Sequence, residues 1–338
     1  MRPSLHPRLV NGPFEDPALF IPFFFEKRAV LFDLGDIHLL SNKDILKISH
    51  VFITHTHMDH FVGFDSVLRR LLGREKCLYL YGPEGFLKNV EGRLEGYSWN
   101  LVTNYINQFA LHAVEVQPER LVSKEYLCQN NFLSTRAAAA MPFNGVLLEE
   151  PALTVSAVIL DHGIPCLGFS IGERFHVNII KDRVLELGLD IGPWLRKFKQ
   201  ALYSEADPES EFEVESGGGP PQSRRFVLKD LANRIALITP GQKVTYIADV
   251  VYSKSNLEKI VSFARDSDHL FIEAAFLERD RDIAAEKRHL TAWQAGSIAA
   301  AARVKQFTPF HFSPRYSGQA HLLYQEAMEA YRAQLSDS

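Results

Sequence analysis

The chain of 338 residues is short of cysteine, with three, and of tryptophan and methionine, with three and four. Cys77, Cys128 and Cys166 are far apart and odd in number, which excludes a disulfide framework and fits a reducing cytoplasm. No long apolar run is present. The richest stretch, "LFIPFFFEKRAVLF", is broken by Pro22 and by Glu26, Lys27 and Arg28, so no membrane span is expected. The start, "MRPSLHPRLVNGPFEDP", lacks an apolar segment followed by a small-residue cleavage site, and no secretory signal is expected. Neither charge sign dominates. A net charge of −4 argues against a surface coated for nucleic acid, although it leaves room for a local basic groove. Hydrophobic residues at 46% and charged residues at 23% describe a globular chain able to bury a sizeable core.

Short apolar runs alternate with helical patterns. Strands are expected at 28–35, 49–56, 77–83, 152–160, 166–172, 243–249, 269–276 and 305–312. Helices are expected near 62–73, 84–95, 254–266, 290–303 and 318–334. Residues 96–150 suggest several strands with irregular connections. This interleaving points to an α/β sandwich. Residues 204–223 differ: six acidic side chains, no basic ones and a Gly-Gly-Gly-Pro-Pro run predict a mobile loop.

The densest chemistry lies in "VFITHTHMDHFVGF", residues 51–64. Side chains at i and i+2 of an extended segment point the same way, so His55 and His57 can hold one cation together. Asp59 and His60 follow where the chain turns towards a helix, and that turn can aim them at a second position beside the first. Imidazole nitrogen with carboxylate oxygen suits zinc, with manganese or iron also possible.

H-x-H-x-D-H after a strand resembles the signature of the metallo-β-lactamase superfamily. "HLTAWQAGSIAAAARVKQFTPFHFSPRY" (289–316) is similar to the C-terminal motifs of its ribonuclease Z branch, the tRNA 3′-processing endonucleases. "LDHGIPCLGFSIGE" (160–173), "IEAAF" (272–276) and the Gly-Pro segment "LELGLDIGPWLRKFKQ" (185–200) resemble further segments of that branch. The resemblance runs from about residue 28 through most of the chain. It implies a single domain over 1–338, built as a four-layer αββα sandwich, with an inserted arm over 174–226.

The resemblance also implies a site. His55, His57 and His162 would bind one zinc, Asp59, His60 and His311 the other, and Asp249 would bridge them. A hydroxide between the metals would attack phosphorus. Asp59 would take a proton from the water, His289 would donate to the phosphate or leaving group, and Glu273 would orient His289. Ser313 and Arg315, with Gly192, Pro193, Arg196 and Lys197 of the arm, would contact substrate. The implied substrate is precursor tRNA, and the implied assembly a homodimer. The chain departs from the branch's pattern in three places: "LVNGPFEDPALF" replaces its glycine-rich opening, "FDLGDIHLL" keeps only Asp33 and Gly35 of a strand-end motif, and Ile272 stands where a histidine is usual. With the acidic segment after the Gly-Pro arm, these departures leave open a related phosphodiesterase acting on a small substrate such as a cyclic nucleotide. A metal-binding protein without catalysis is disfavoured, because every ligand position and His289 are filled.

Overall fold

In a computed structural model, residues 5–23, 27–134, 138–216 and 222–336 are described. The apolar runs become strands because they are buried on both faces. Ala29–Phe32, "AVLF", has no exposed residue, as expected of a central parallel strand. It lies in an eight-stranded sheet whose spatial order follows the chain. Four neighbours run parallel through its middle: Ala29–Phe32, Ile48–Phe52, Lys76–Pro83 and Phe109–Val116. A second, six-stranded sheet orders its strands as Phe307–Phe310, His269–Glu273, Lys243–Ile247, Pro165–Glu173, Leu153–Asp161 and Val146–Glu149. Its first three are parallel.

The sheets meet through aromatic side chains. Phe169 of the second sheet packs 5.4 Å from Phe32 and 5.6 Å from Phe52, ring centre to ring centre, and Tyr246 lies 5.9 Å from Phe32. Helices cover the outer faces. Phe64–Leu71 and Phe86–Glu95 bury their apolar stripes on the first sheet, and Lys254–Ala264 and Ala292–Ala301 cover the second. Each fully buried Phe or Leu contributes about 1.5–3 kcal/mol relative to exposure. The expected αββα sandwich is therefore present.

The alanine-rich helix Ala292–Ala301 starts at Thr291, whose side chain accepts from the Gln294 amide while Gln294 answers to the Thr291 amide. Gly296 lets this helix press on Ala320–Ser336: a Cβ there would meet the Ala327 carbonyl oxygen at 2.0 Å. That seat holds the segment just before it, which carries His289.

Residues Leu148–Thr154 and Gly172–Gln242 form a second compact unit, within which falls 174–226, the span expected as an arm. It has its own core, including Val184, Trp194, Phe198, Val214 and Leu231. The mobile loop expected over 204–223 needs correction. Glu211–Ser216 pairs antiparallel with Gln222–Val227, with Phe212 opposite Phe226. The physical reason is alternation: Val214 is buried and Phe212 packs 5.5 Å from Phe198, while Glu211, Glu213 and Glu215 face outward. The outward carboxylates are also met by bases, Glu211 by Arg225 at 3.2 Å, Glu215 by Lys197 at 3.1 Å and Glu209 by Lys229 at 3.4 Å. The Gly-Pro tip, 217–221, lies outside the described residues. All three cysteines are free, and among the described residues no helix is long and apolar enough to cross a membrane.

Candidate metal centre

The parallel strands of both sheets deliver the polar residues at their C-terminal ends. His55 follows Ile48–Phe52, Asp249 follows Lys243–Ile247, Glu273 closes His269–Glu273, and His311 follows Phe307–Phe310. His57 is the residue before the short helix Met58–Phe61, which carries Asp59 and His60 on its first turn. Gly35 keeps that turn close, because a Cβ on it would meet the Asp59 carbonyl oxygen at 2.6 Å.

Two clusters result, with Asp249 shared between them. His55 Nε2 lies 2.9 Å from His57 Nδ1 and 3.7 Å from Asp249 Oδ2. His162 Nε2 is 3.6 Å from the same oxygen. One ligand atom from each of these four residues falls within 4.8 Å of the others. In the second cluster, Asp59 Oδ2 is 3.5 Å from His60 Nε2 and 3.2 Å from His311 Nε2. Asp249 reaches it too, at 3.5 Å from His60 Nε2 and 2.7 Å from His311 Nδ1.

This donor set fits cations better than it fits itself. His60 Nε2, Asp249 Oδ1 and His311 Nδ1 are buried without a hydrogen-bond partner. Asp249 Oδ1 and His311 Nδ1 are near neighbours but are not aimed at one another. Each such orphaned group costs about 1–3 kcal/mol. Asp249 and His311 also carry left-handed backbone, φ 27° and 60°, a conformation that is strained in non-glycine residues and clusters at functional sites. With protein atoms alone, burial would depress the His60 pKa, yet Asp33 and Asp249 raise it to about 10. Burial and the neighbouring His60 hold His55 well below its ordinary value. Asp249 is pushed down despite its burial, chiefly by His311 and His60. The buried carboxylates thus favour positive charge at the centre of the cluster, which a divalent cation would supply in place of protons.

Outer residues aim the inner ones. Asp33 accepts from the Thr54 amide at 2.7 Å and from the Tyr246 hydroxyl at 2.9 Å, and meets His60 Nδ1 at 2.8 Å. His60 therefore turns Nε2 to the centre. His162 Nδ1 donates to the Arg288 carbonyl at 2.9 Å, with the same effect. His289 Nδ1 lies 2.9 Å from Glu273 Oε2, and Glu273 Oε1 accepts from the Val250 amide at 2.7 Å. Burial lowers the His289 pKa, but Glu273 more than compensates and the net shift is upward.

A cleft of about 360 Å³ opens on the centre, lined by Asp59, Lys287, His289, His311, Ser313 and Arg315 among others. The seven residues expected as ligands are all drawn into the clusters; His289 and Glu273 form a further group with Asp249 and His311, and Ser313 and Arg315 line the cleft. Gly192, Pro193, Arg196 and Lys197 belong to the second compact unit, around the start of the helix Trp194–Tyr203. Sequence reasoning missed Thr54, Tyr246 and Lys287. Tyr246 sits in an apolar run where alternation marks it as core, so nothing in the pattern signals its hydroxyl's task.

No family model matches the chain. Ribonuclease Z of Deinococcus radiodurans is 28% identical over 313 residues, covering 91% of this chain and 90% of that protein. The structure is similar to a metallo-β-lactamase fold protein of Bacillus subtilis, with TM-score 0.54 at 15% identity over 97% of this chain and 94% of the other. It is also similar to human tRNase Z, short form, with TM-score 0.50 at 17% identity over 93% of each chain.

Proposed function

We propose that this chain, which belongs to the ribonuclease Z branch of the metallo-β-lactamase superfamily, is a metal-dependent endonuclease that cuts precursor tRNA near its 3′ end. The observation that carries this reading is the sharing of Asp249 between two ligand clusters with His289 and Glu273 at their side. His55, His57 and His162 would hold one divalent cation, Asp59, His60 and His311 the other, and Asp249 both. The nitrogen and oxygen donors favour zinc. Bound there, the cations lower the pKa of water and offset charge on the phosphoryl oxygens.

The chain's own residues do the rest. Asp59, half-exposed at the cleft, accepts a proton from the attacking water. His289, oriented by Glu273, which shifts its pKa upward, donates to the phosphate or to the departing oxygen. Glu273, fixed by the Val250 amide, holds the imidazole in one orientation. Ser313 and Arg315 meet the substrate's backbone. Arg196 and Lys197 of the arm would contact the phosphates of the tRNA. The reading carries with it a homodimer working in the cytoplasm, which solution mass and cell fractionation measure.

The test is incubation of the purified protein with a precursor tRNA and with bis(p-nitrophenyl) phosphate, each with and without a chelator. Chelator-sensitive release of the 3′ trailer supports the reading. Cleavage of the ester alone points instead to a small phosphodiester as the substrate.

A further inference from the structure

Resting on that reading, we propose that Lys287 selects the substrate. Its ammonium holds a backbone phosphate neighbouring the one being cut, so that the cleft prefers a chain of phosphates over an isolated phosphodiester.

The placement comes from the backbone. The helix Arg281–Lys287 ends at Arg288, whose φ of 64° is left-handed. The chain reverses there, and Lys287 and His289, two residues apart, line the same cleft. The turn between them is not free to drift. The Arg288 carbonyl accepts from His162 Nδ1 at 2.9 Å, and the His289 amide donates to the Ala284 carbonyl at 2.9 Å. The backbone that carries Lys287 is therefore held beside His289, and the ammonium sits on a flexible stem.

Charge gives the placement its meaning. The cleft is walled by the Asp59 carboxylate, with Asp249 and Glu273 behind it, and these repel any phosphate not met by a cation. Arg315 offsets part of this charge but is drawn on by Asp280 at 3.5 Å. Lys287 is exposed and has no hydrogen bond or ion pair among the described residues. An uncommitted ammonium at the mouth of an acidic cleft is a contact for a polyanion. A compact point charge on a flexible stem also tolerates the varied phosphate positions of an RNA backbone. A small diester that fills only the space beside His289 has no second phosphate to offer it.

The experiment compares wild type, K287A, K287E and K287R on precursor tRNA and on bis(p-nitrophenyl) phosphate across a salt series. K287A is expected to raise KM for the tRNA about 3- to 10-fold with kcat held, and to lower the slope of log affinity against log salt by about 1. The preference for tRNA over the ester falls by the same factor, K287E falls further, and K287R restores most of it. Unchanged KM and salt slope in K287A and K287E would overturn the proposal, as would an equal loss on both substrates, which marks a role at the metal centre itself. A wild-type protein that cleaves the ester but no RNA overturns the functional reading, and this inference with it.

Discussion

The metal centre and the arm both concentrate charge, and they manage it in opposite ways. In the centre, His55, His60, His162, His311 and Asp249 are buried or nearly so, and three of their polar atoms make no aligned hydrogen bond within the protein. In the arm, Glu209, Glu211 and Glu215 each face a lysine or arginine at 3.1–3.4 Å, and every member of those pairs is largely exposed. Exposed pairs of this kind are worth about 0–1 kcal/mol. Buried charges lacking a partner cost several times that unless something else joins them. These three pairs therefore neutralise one another at the surface, whereas the centre's donors converge as a set that would suit cations. The acidity of this segment also weighs less against RNA than composition suggests, because Glu209, Glu211 and Glu215 are already answered by neighbouring bases.

The comparison can be broken most sharply at Asp249. Asp249→Asn leaves both clusters without their shared carboxylate and is expected to lose at least one metal equivalent and nearly all turnover. Elemental analysis returning two full equivalents for this variant would remove Asp249 from the bridge.

His289→Ala separates holding metal from using it. This variant is expected to keep its metal while turnover drops by about 10²–10⁴-fold, the usual range for a general acid or base. Loss of metal, or undiminished turnover, would deny His289 the role assigned to it.

In the arm the effects are smaller. Reversing Arg196 and Lys197 to glutamate is expected to raise KM for precursor tRNA by about 10-fold and to reduce the salt slope by about 2, one for each phosphate no longer neutralised. Bis(p-nitrophenyl) phosphate distinguishes this from damage to the centre, since a lost contact to further phosphates of the tRNA leaves a substrate with a single phosphate unaffected. An unaltered KM for tRNA would show that the arm's bases serve only their carboxylate partners. Smallest of all is the coupling between Glu211 and Arg225. A double-mutant cycle on thermal stability is expected to give less than about 1 kcal/mol. A larger coupling would mean that the arm's charges are not the self-contained surface pairs described.

How much of this was legible in the residues differs between the same two regions. The sandwich could be read because its central strands are continuous apolar runs and its helices carry clear stripes and caps, such as the Thr291–Gln294 box. The opening cluster of the centre was legible because His55, His57, Asp59 and His60 are adjacent in the chain. His162, Asp249 and His311 were reachable only through family resemblance, since each alone is an ordinary strand-end residue. The contribution of Asp33 and Tyr246 was hidden, because it depends on two sheets meeting across 213 positions of sequence. The hairpin was misread because composition outweighed period. Glu, Gly and Pro suggested disorder, while Phe212 and Val214 alternating with glutamates supplied the one face that orders it.

The most direct test of the account is metal stoichiometry followed alongside cleavage. Protein stripped by a chelator and titrated with zinc is expected to bind two ions per chain and to regain cleavage of precursor tRNA only as the second is filled. Saturation at a single ion per chain, or cleavage that persists in the stripped protein, would contradict a centre built by two ligand clusters around Asp249.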